Sequence, residues 1–393
     1  MRRITAPAVA IAVAVVFSRA ADAACVATPI PGLNNTGTAD NWALINQALQ
    51  DARPENTPPG RGVVGLPPGR YLVNQPLTIP TGVTLCGTAP GPFDVAGINP
   101  GPGSTHLGKT VAATLLIPAA TLNPPYQNTP FLTLSGQGAG VTDILFHYPD
   151  QVVPAVTGPP EGLPPIIYPF TIQMNNASQK VERCTVTNAY QFLMMKSGRT
   201  TARDLNIGAF GVGIYVDGPA DHVTIANTIH SVFWDIYAGV TYFDSQLSRW
   251  SANNGYGIIL YRVDHVVIEN TLVVFRYAAS FIGASPTAQQ EPYSGWGTVT
   301  DLMCDLCQYG IIASSTEPTG YQFANIQLVP NPTFGGRRAV SYVAPPPGKH
   351  EPSILLNGGC IRNDVFGGWD QVFDTFPPPA KLVHVNIMCG IDY

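Results

Sequence analysis

Between positions 191 and 262 the chain carries carboxylates, cations and phenols that could serve one reaction site: Lys196, Asp217, Asp235, Asp244, Tyr261 and Arg262. Two chemistries use these residue types. Elimination from a uronic acid needs a base to take the proton beside the sugar carboxylate, and a positive charge to stabilise the negative charge that develops there. Tyr261 or Lys196 could be that base and Arg262 the charge, with Asp217 orienting the base or holding a Ca²⁺. Hydrolysis of a glycosidic bond needs instead two carboxyls, ~5–5.5 Å apart for retention or ~6.5–9.5 Å for inversion. Asp217 with Asp235 or Asp244 is the candidate pair. Gln191, Tyr215, Tyr237 and Trp296 add an amide and ring faces suited to binding a sugar chain.

Whether these residues meet depends on the elements that carry them. Similar five-residue segments begin at Pro169, Gln191, Gly213, Asp235, Gly257 and Ala279, a repeat of about 22 residues. Their second positions read Phe170, Phe192, Ile214, Ile236, Ile258 and Ser280; their fourth read Ile172, Met194, Val216, Ala238, Leu260 and Ile282. Two nearly apolar columns two residues apart describe a strand with one buried face. One such strand per unit, with a second apolar run in the same unit, is the spacing of a coil in a parallel β-helix, where each coil buries its face only against its neighbours.

The third and fifth positions then point outward. They hold Thr171, Leu193, Tyr215, Tyr237, Ile259 and Phe281, then Gln173, Met195, Asp217, Gly239, Tyr261 and Gly283. With rungs ~4.8 Å apart, Asp217 and Tyr261 are expected two rungs or ~10 Å apart, Gly239 leaving space between them and Lys196 and Arg262 flanking the gap. Asp217 and Asp235, one rung and four strand positions apart, are expected ~14 Å apart, too far for either hydrolytic geometry. Asp244 reaches Asp217 only if the intervening turn folds back. The balance favours elimination. The apolar members of this face, Leu193, Met195, Ile259 and Phe281, also fit burial under a loop or in a homotrimer.

The chain ends and composition bound the rest. Arg2 and Arg3, the apolar run from Ala6 to Phe17 and the small-x-small Ala21-Asp22-Ala23 make residues 1–23 an export signal, which predicts a secreted or periplasmic protein. No later stretch reaches the ~18 apolar residues of a membrane span. A net charge of −5 with charged residues at 11% offers no footprint for nucleic acid. Residues 24–393 read as one β-helix domain: a capping helix over 38–53, coils over about 60–330, and last coils or a C-terminal cap over 331–393. Thr38-Ala39-Asp40 offers caps for that helix, and Trp42, Ile45, Leu49 and Ala52 share its apolar face. Irregular insertions fall at 149–168, 285–298 and 330–351. Asn188, Asn227 and Asn270 follow similar apolar runs and predict an asparagine ladder in one turn. Cys184 and Cys304 lie in apolar runs and read as buried thiols, and Cys304-x-x-Cys307 lacks the partners for zinc.

The order helix, Gly62-Val63-Val64-Gly65-Leu66-Pro67-Pro68-Gly69-Arg70-Tyr71, then Pro80-Thr81-Gly82-Val83-Thr84-Leu85-Cys86-Gly87 resembles the entry to the pectate-lyase-like superfamily of right-handed β-helices. The resemblance covers Thr38 to Gly87, and the coils extend it to about Ser314. It implies a fold shared by polysaccharide lyases, glycoside hydrolases and phage tailspikes, and is specific for fold rather than reaction. The Asn-Thr-Asp, Asp-Asp and Gly-His-Gly set of pectin-type hydrolases is absent. Of the lyase motifs only Asp221-His222-Val223 and Asp264-His265-Val266 echo, at turns expected two coils apart, where a structural role fits best. The reading is therefore an enzyme cleaving an acidic extracellular polysaccharide by β-elimination, monomeric or homotrimeric. A hydrolase of the same fold and a non-catalytic glycan-binding or adhesin-type β-helix are the alternatives.

Overall fold

The computed structural model describes residues 30–55, 62–87, 113–151, 162–218, 221–231, 245–286, 295–331, 333–363 and 368–388. The export signal, Asp235, Tyr237 and Asp244 lie outside these residues. Among them, 24 strands join into one sheet whose pairings are all parallel. Each coil contributes to three ladders, and the pairs run between consecutive coils. One ladder aligns Leu132, Ile172, Leu193, Ile214, Ile258, Ser280, Ile311 and Val340. A second aligns Val181, Ala202, Ile225, Ile268, Val299 and Phe323. A third carries Phe146, Val186, Ile207, His230, Val273, Cys304 and Leu328. The winding is right-handed, the hand that twisted strands impose on parallel crossovers. The interior is a continuous apolar stack from Ile45 to Trp369.

Between Pro169 and Gly283, register departs from a uniform 22-residue repeat in two ways. Ile214 pairs directly with Ile258, so no rung stands between the segments at Gly213 and Gly257. Part of the chain between them forms the helix Gln246–Asn254 instead, capped by the Ser245 hydroxyl, which accepts from Ser248 N–H at 3.3 Å. The second is a slip of one residue on either side of one strand: Leu193 pairs with Ile172 where Met194 was expected, and with Ile214 where Phe192 was expected. Leu193 and Met195 consequently point into the core at 0% exposure, and Met194 turns outward. A single-residue slip exchanges the faces of every side chain in a strand.

The N-terminal helix spans Trp42–Asp51, with Ile45 and Leu49 at 0% exposure. Thr38, Ala39 and Asp40 belong to the strand Thr36–Asp40, which pairs with Gly69–Leu72. Asp40 still serves the helix start, its Oδ1 accepting from Trp42 N–H at 3.1 Å. The turn ladder also forms, with different members. Asp143, Arg183, Asp204, Asn227, Asn270, Asp301 and Asn325 all take left-handed φ values of 51–58° or, at Asn270, 47°. Asn270 Nδ2 donates to Asn227 Oδ1 at 2.9 Å, and Asn227 Nδ2 to Asp204 Oδ1 at 3.1 Å. Asn188 lies off this ladder and donates to the Gln151 carbonyl. Cys184 is a buried thiol as expected, whereas Cys304 is joined to Cys307.

Two interior histidines set an acid limit on the coil. Burial, reinforced by Arg70 and opposed by Asp150, pushes His147 down to about 4. Burial and Arg276 push His230, at 0% exposure, down to about 3. Unfolded histidines titrate near ~6.5, so between that pH and the folded values the unfolded chain binds more protons and stability falls on acidification. Melting temperature should therefore drop steadily from pH ~6.5 towards 4, each histidine contributing up to about 1.4 kcal/mol per pH unit. Thermal melts of a His147→Gln variant across that range should show a shallower slope; an unchanged slope would contradict the assignment.

Candidate functional site

The outward face of the first ladder collects most of the expected site. Its pairings Met195↔Val216 and Val216↔Leu260 set Lys196, Asp217 and Tyr261 on three consecutive rungs. Asp217 and Tyr261 are thus neighbours at ~4.8 Å of rung spacing, not ~10 Å apart, because the coil expected between them does not exist. Gly239 falls outside the described residues.

Asp217 is 7% exposed. Its Oδ2 accepts from the Tyr215 hydroxyl at 3.2 Å and from Ser285 Oγ at 2.9 Å. Burial, the nearby Asp217 charge and Tyr261 together push the Tyr215 phenol up. Burial, then Tyr256 and Asp217, push Tyr261 up as well. Both phenols therefore hold their protons at neutral pH, which suits proton donation better than proton abstraction. Lys196 is exposed, and Arg262 is half-buried at the start of the following turn, its carbonyl accepting from Gly218 N–H at 3.2 Å. Among the described residues no group of three or more His, Cys, Asp or Glu side chains is placed to hold a metal. The hydroxyls aimed at Asp217 also do not fit a Ca²⁺ cage of roughly six to eight oxygens.

A run of rings crosses the coils beside this carboxylate. Centroid distances are 5.7 Å from Phe170 to Tyr215, 5.3 Å to Tyr261, 5.8 Å to Phe281, 6.1 Å to Tyr256, 5.6 Å to Tyr277 and 5.0 Å to Tyr309. Most of these rings are half-buried, so each keeps part of a face in solvent. Ile259 and Ile312 lie outside the core cluster and are covered on this outer side.

Two expected sugar contacts sit elsewhere. Gln191 is committed to the coil, its Nε2 donating to the Tyr168 carbonyl at 3.2 Å. Trp296 stacks on His265 at 4.4 Å, and His265 meets His222 through facing Nδ1 atoms at 3.1 Å. The pairing Val223↔Val266 places those two histidines on adjacent coils rather than two apart, in a turn beyond the ladder. Conversely, the residue pattern did contain an unused signal. Tyr256-Gly257-Ile258-Ile259 recurs as Tyr309-Gly310-Ile311-Ile312, and both tyrosines join the ring run. Ser285 carries no signal at all, since it reaches Asp217 from a turn 68 residues on.

The coil architecture is a parallel β-helix. A family profile described as "Rhamnogalacturonase A/epimerase, pectate lyase-like" matches residues 31–105. The DFA-IIIase of Arthrobacter chlorophenolicus superposes with a TM-score of 0.54 at 13% identity, over 92% of this chain and 92% of that one. An α-1,3-glucanase catalytic unit from Streptomyces thermodiastaticus matches with a TM-score of 0.46 at 13% identity, over 90% of this chain and 69% of that one. The surface protein and adhesin PfbA of Streptococcus pneumoniae gives 0.45 at 11% identity, over 91% of this chain and 99% of that one. Comparison with curated proteins by sequence gave no match. At these identities the likeness concerns the fold.

Gly283 is where the ring run is most sensitive. A Cβ there would lie 2.5 Å from Phe281 Cε1 and 3.4 Å from Tyr261 Cε1. Gly283→Ala should displace one of the two rings and destabilise by about 1–3 kcal/mol. Chemical denaturation should show the loss, with near-ultraviolet circular dichroism reporting the moved tyrosine environment; unaltered values in both would contradict this packing role.

Proposed function

We propose that the chain is an exported carbohydrate-active enzyme that cleaves an acidic extracellular polysaccharide by β-elimination on the outward face of its first ladder. The observation that carries this reading is the buried Asp217 carboxylate, held by Tyr215 and Ser285 between Lys196 and Tyr261 on adjoining rungs. Arg262 lies in the turn that follows and takes the uronate carboxylate, neutralising charge as the neighbouring proton leaves. Lys196, in its neutral form, removes that proton. The electron pair becomes the ring double bond as the bond to the glycosidic oxygen breaks, and Tyr261 gives its held proton to that oxygen. Asp217 positions the array through its bonds to Tyr215 and Ser285. Residues 1–23 direct export, and the ring run holds the chain against the face.

The alternatives predict different products. A hydrolase centred on Asp217 would need a second carboxylate from the segment containing Asp235 and Asp244. An adhesin-type β-helix would bind without cleavage. Incubation with galacturonate, mannuronate and glucuronate polymers should generate the absorbance of an unsaturated product. Lys196→Met and Tyr261→Phe should each lower kcat about 10²–10⁴-fold. New reducing ends without absorbance would favour hydrolysis, and binding without either would favour the adhesin. Full activity in both Asp217→Asn and Tyr261→Phe would remove the site from this face.

A further inference from the structure

The ring run leads at Tyr309 to an open depression. Tyr309 forms one wall of a cavity of about 530 Å³, whose other walls are Phe334, Arg337, Arg338, Ser341, Asp370 and Asp374. That volume lies within the ~300–1,000 Å³ of small-ligand sites. The first ladder builds it, since Tyr309 pairs with Arg338 and Arg338 with Gln371, on the rungs that follow the ring run.

The charged groups in this cavity divide into committed and uncommitted. Asp374 Oδ1 accepts from Arg338 Nε at 2.7 Å, while its Oδ2 accepts from Ser341 Oγ at 2.7 Å and Tyr342 N–H at 3.1 Å. Those donors hold the Asp374 carboxyl below its ordinary range despite its partial burial. Arg338 Nη1 also donates to the Arg337 carbonyl at 2.8 Å. The Arg338–Asp374 pair is thus a fixed wall. Arg337 and Asp370 are exposed and enter no ion pair among the described residues. Arg337 also stands close enough to the Tyr277–Tyr309 pair to oppose the rise that burial imposes on Tyr277.

An uncommitted guanidinium beside ring faces and an uncommitted carboxylate is a matched set for one sugar unit bearing an acid group. The guanidinium fork takes a carboxylate, Asp370 accepts from sugar hydroxyls, and Tyr309 lies along a ring face. The alternative, that Asp370 and Asp374 form a hydrolytic pair, fails on spacing: four strand positions put their Cα atoms ~13 Å apart, and Asp374 is already saturated with donors. The pocket also stands apart from Asp217, because three rungs (~14 Å) separate Asp217 from Tyr309 and four (~19 Å) from Arg337.

We propose that this cavity is a distal subsite that binds one uronate residue of the same polysaccharide chain, with Arg337 taking its carboxylate. The inference rests on the reading of the ladder face as the polysaccharide site and adds where a long chain is gripped away from the point of cleavage. Calorimetric titration of the full chain with a galacturonate dimer and a long galacturonate oligomer, alongside a neutral glucan oligomer, tests it. The long oligomer should bind more tightly than the dimer and the glucan. Arg337→Gln should weaken the long oligomer about tenfold or more and raise KM for polymer while leaving kcat unchanged. Arg337→Lys should restore part of the loss, and Asp370→Asn should weaken binding without altering the preference for acidic over neutral oligomers. If the parent protein cleaves uronate polymer yet Arg337→Gln binds and turns it over like the parent, the subsite is overturned and the ladder-face reading stands. Equal binding of the neutral oligomer overturns the carboxylate assignment. If the parent protein neither binds nor cleaves any galacturonate, mannuronate or glucuronate oligomer, both readings fall together.

Discussion

Everything on the candidate face depends on the register between successive coils. In a parallel β-helix each rung is held by backbone hydrogen bonds to the rungs on either side, so a side chain's neighbours are decided by which coil follows which. Tyr261 N–H bonds to the Val216 carbonyl and Asp217 N–H to the Met195 carbonyl, which ties Lys196, Asp217 and Tyr261 together across 66 positions of sequence. Alternation along the strand then divides the residues into those that fill the core and those that meet solvent. The buried members, such as Ile214, Val216, Ile258 and Leu260, anchor the face by packing, and the outward members are free to carry chemistry.

That arrangement makes the outer face an extended, rigid surface rather than a deep pocket. The rings from Phe170 to Tyr309 pack tilted or edge to face across successive coils, and Gly283 provides the space that two of them occupy. Charge is concentrated at two stations along it: the buried Asp217 with its hydroxyl donors, and the cavity around Arg337 and Asp374. The many tyrosines with raised phenol values share one cause, burial beside other rings, and so retain their protons.

The repeat made much of the fold legible in the chain. Apolar residues two apart, recurring about every 22 residues, identify strands in stacked coils, and the Gly-Val-x-Leu-Pro pattern near Val64 identifies the entry coils. Asp217, Tyr215, Tyr261 and Lys196 were legible as a group for the same reason. The repeat also misled where it continued by coincidence. The segment from Asp235 fits the pattern of Ile214 and Ile258, yet those two residues pair with each other directly. Periodicity cannot distinguish a rung from an insertion of rung length, because the difference lies in backbone pairing and not in residue type.

What the amino-acid sequence determined by itself was the alternation and its period, hence a parallel β-helix with one face of the main ladder rich in tyrosine. Those are local properties, carried by residues two apart in a strand and one coil apart in the repeat. What only the tertiary structure decided was adjacency: that Asp217 and Tyr261 touch neighbouring rungs, that Leu193 and Met195 are core, that Ser285 closes on Asp217, and that Arg337 stands beside Tyr309. Each depends on how many residues leave the coil in a turn before the next strand docks. That number is settled by backbone hydrogen bonding and packing across the whole stack, which no single segment encodes.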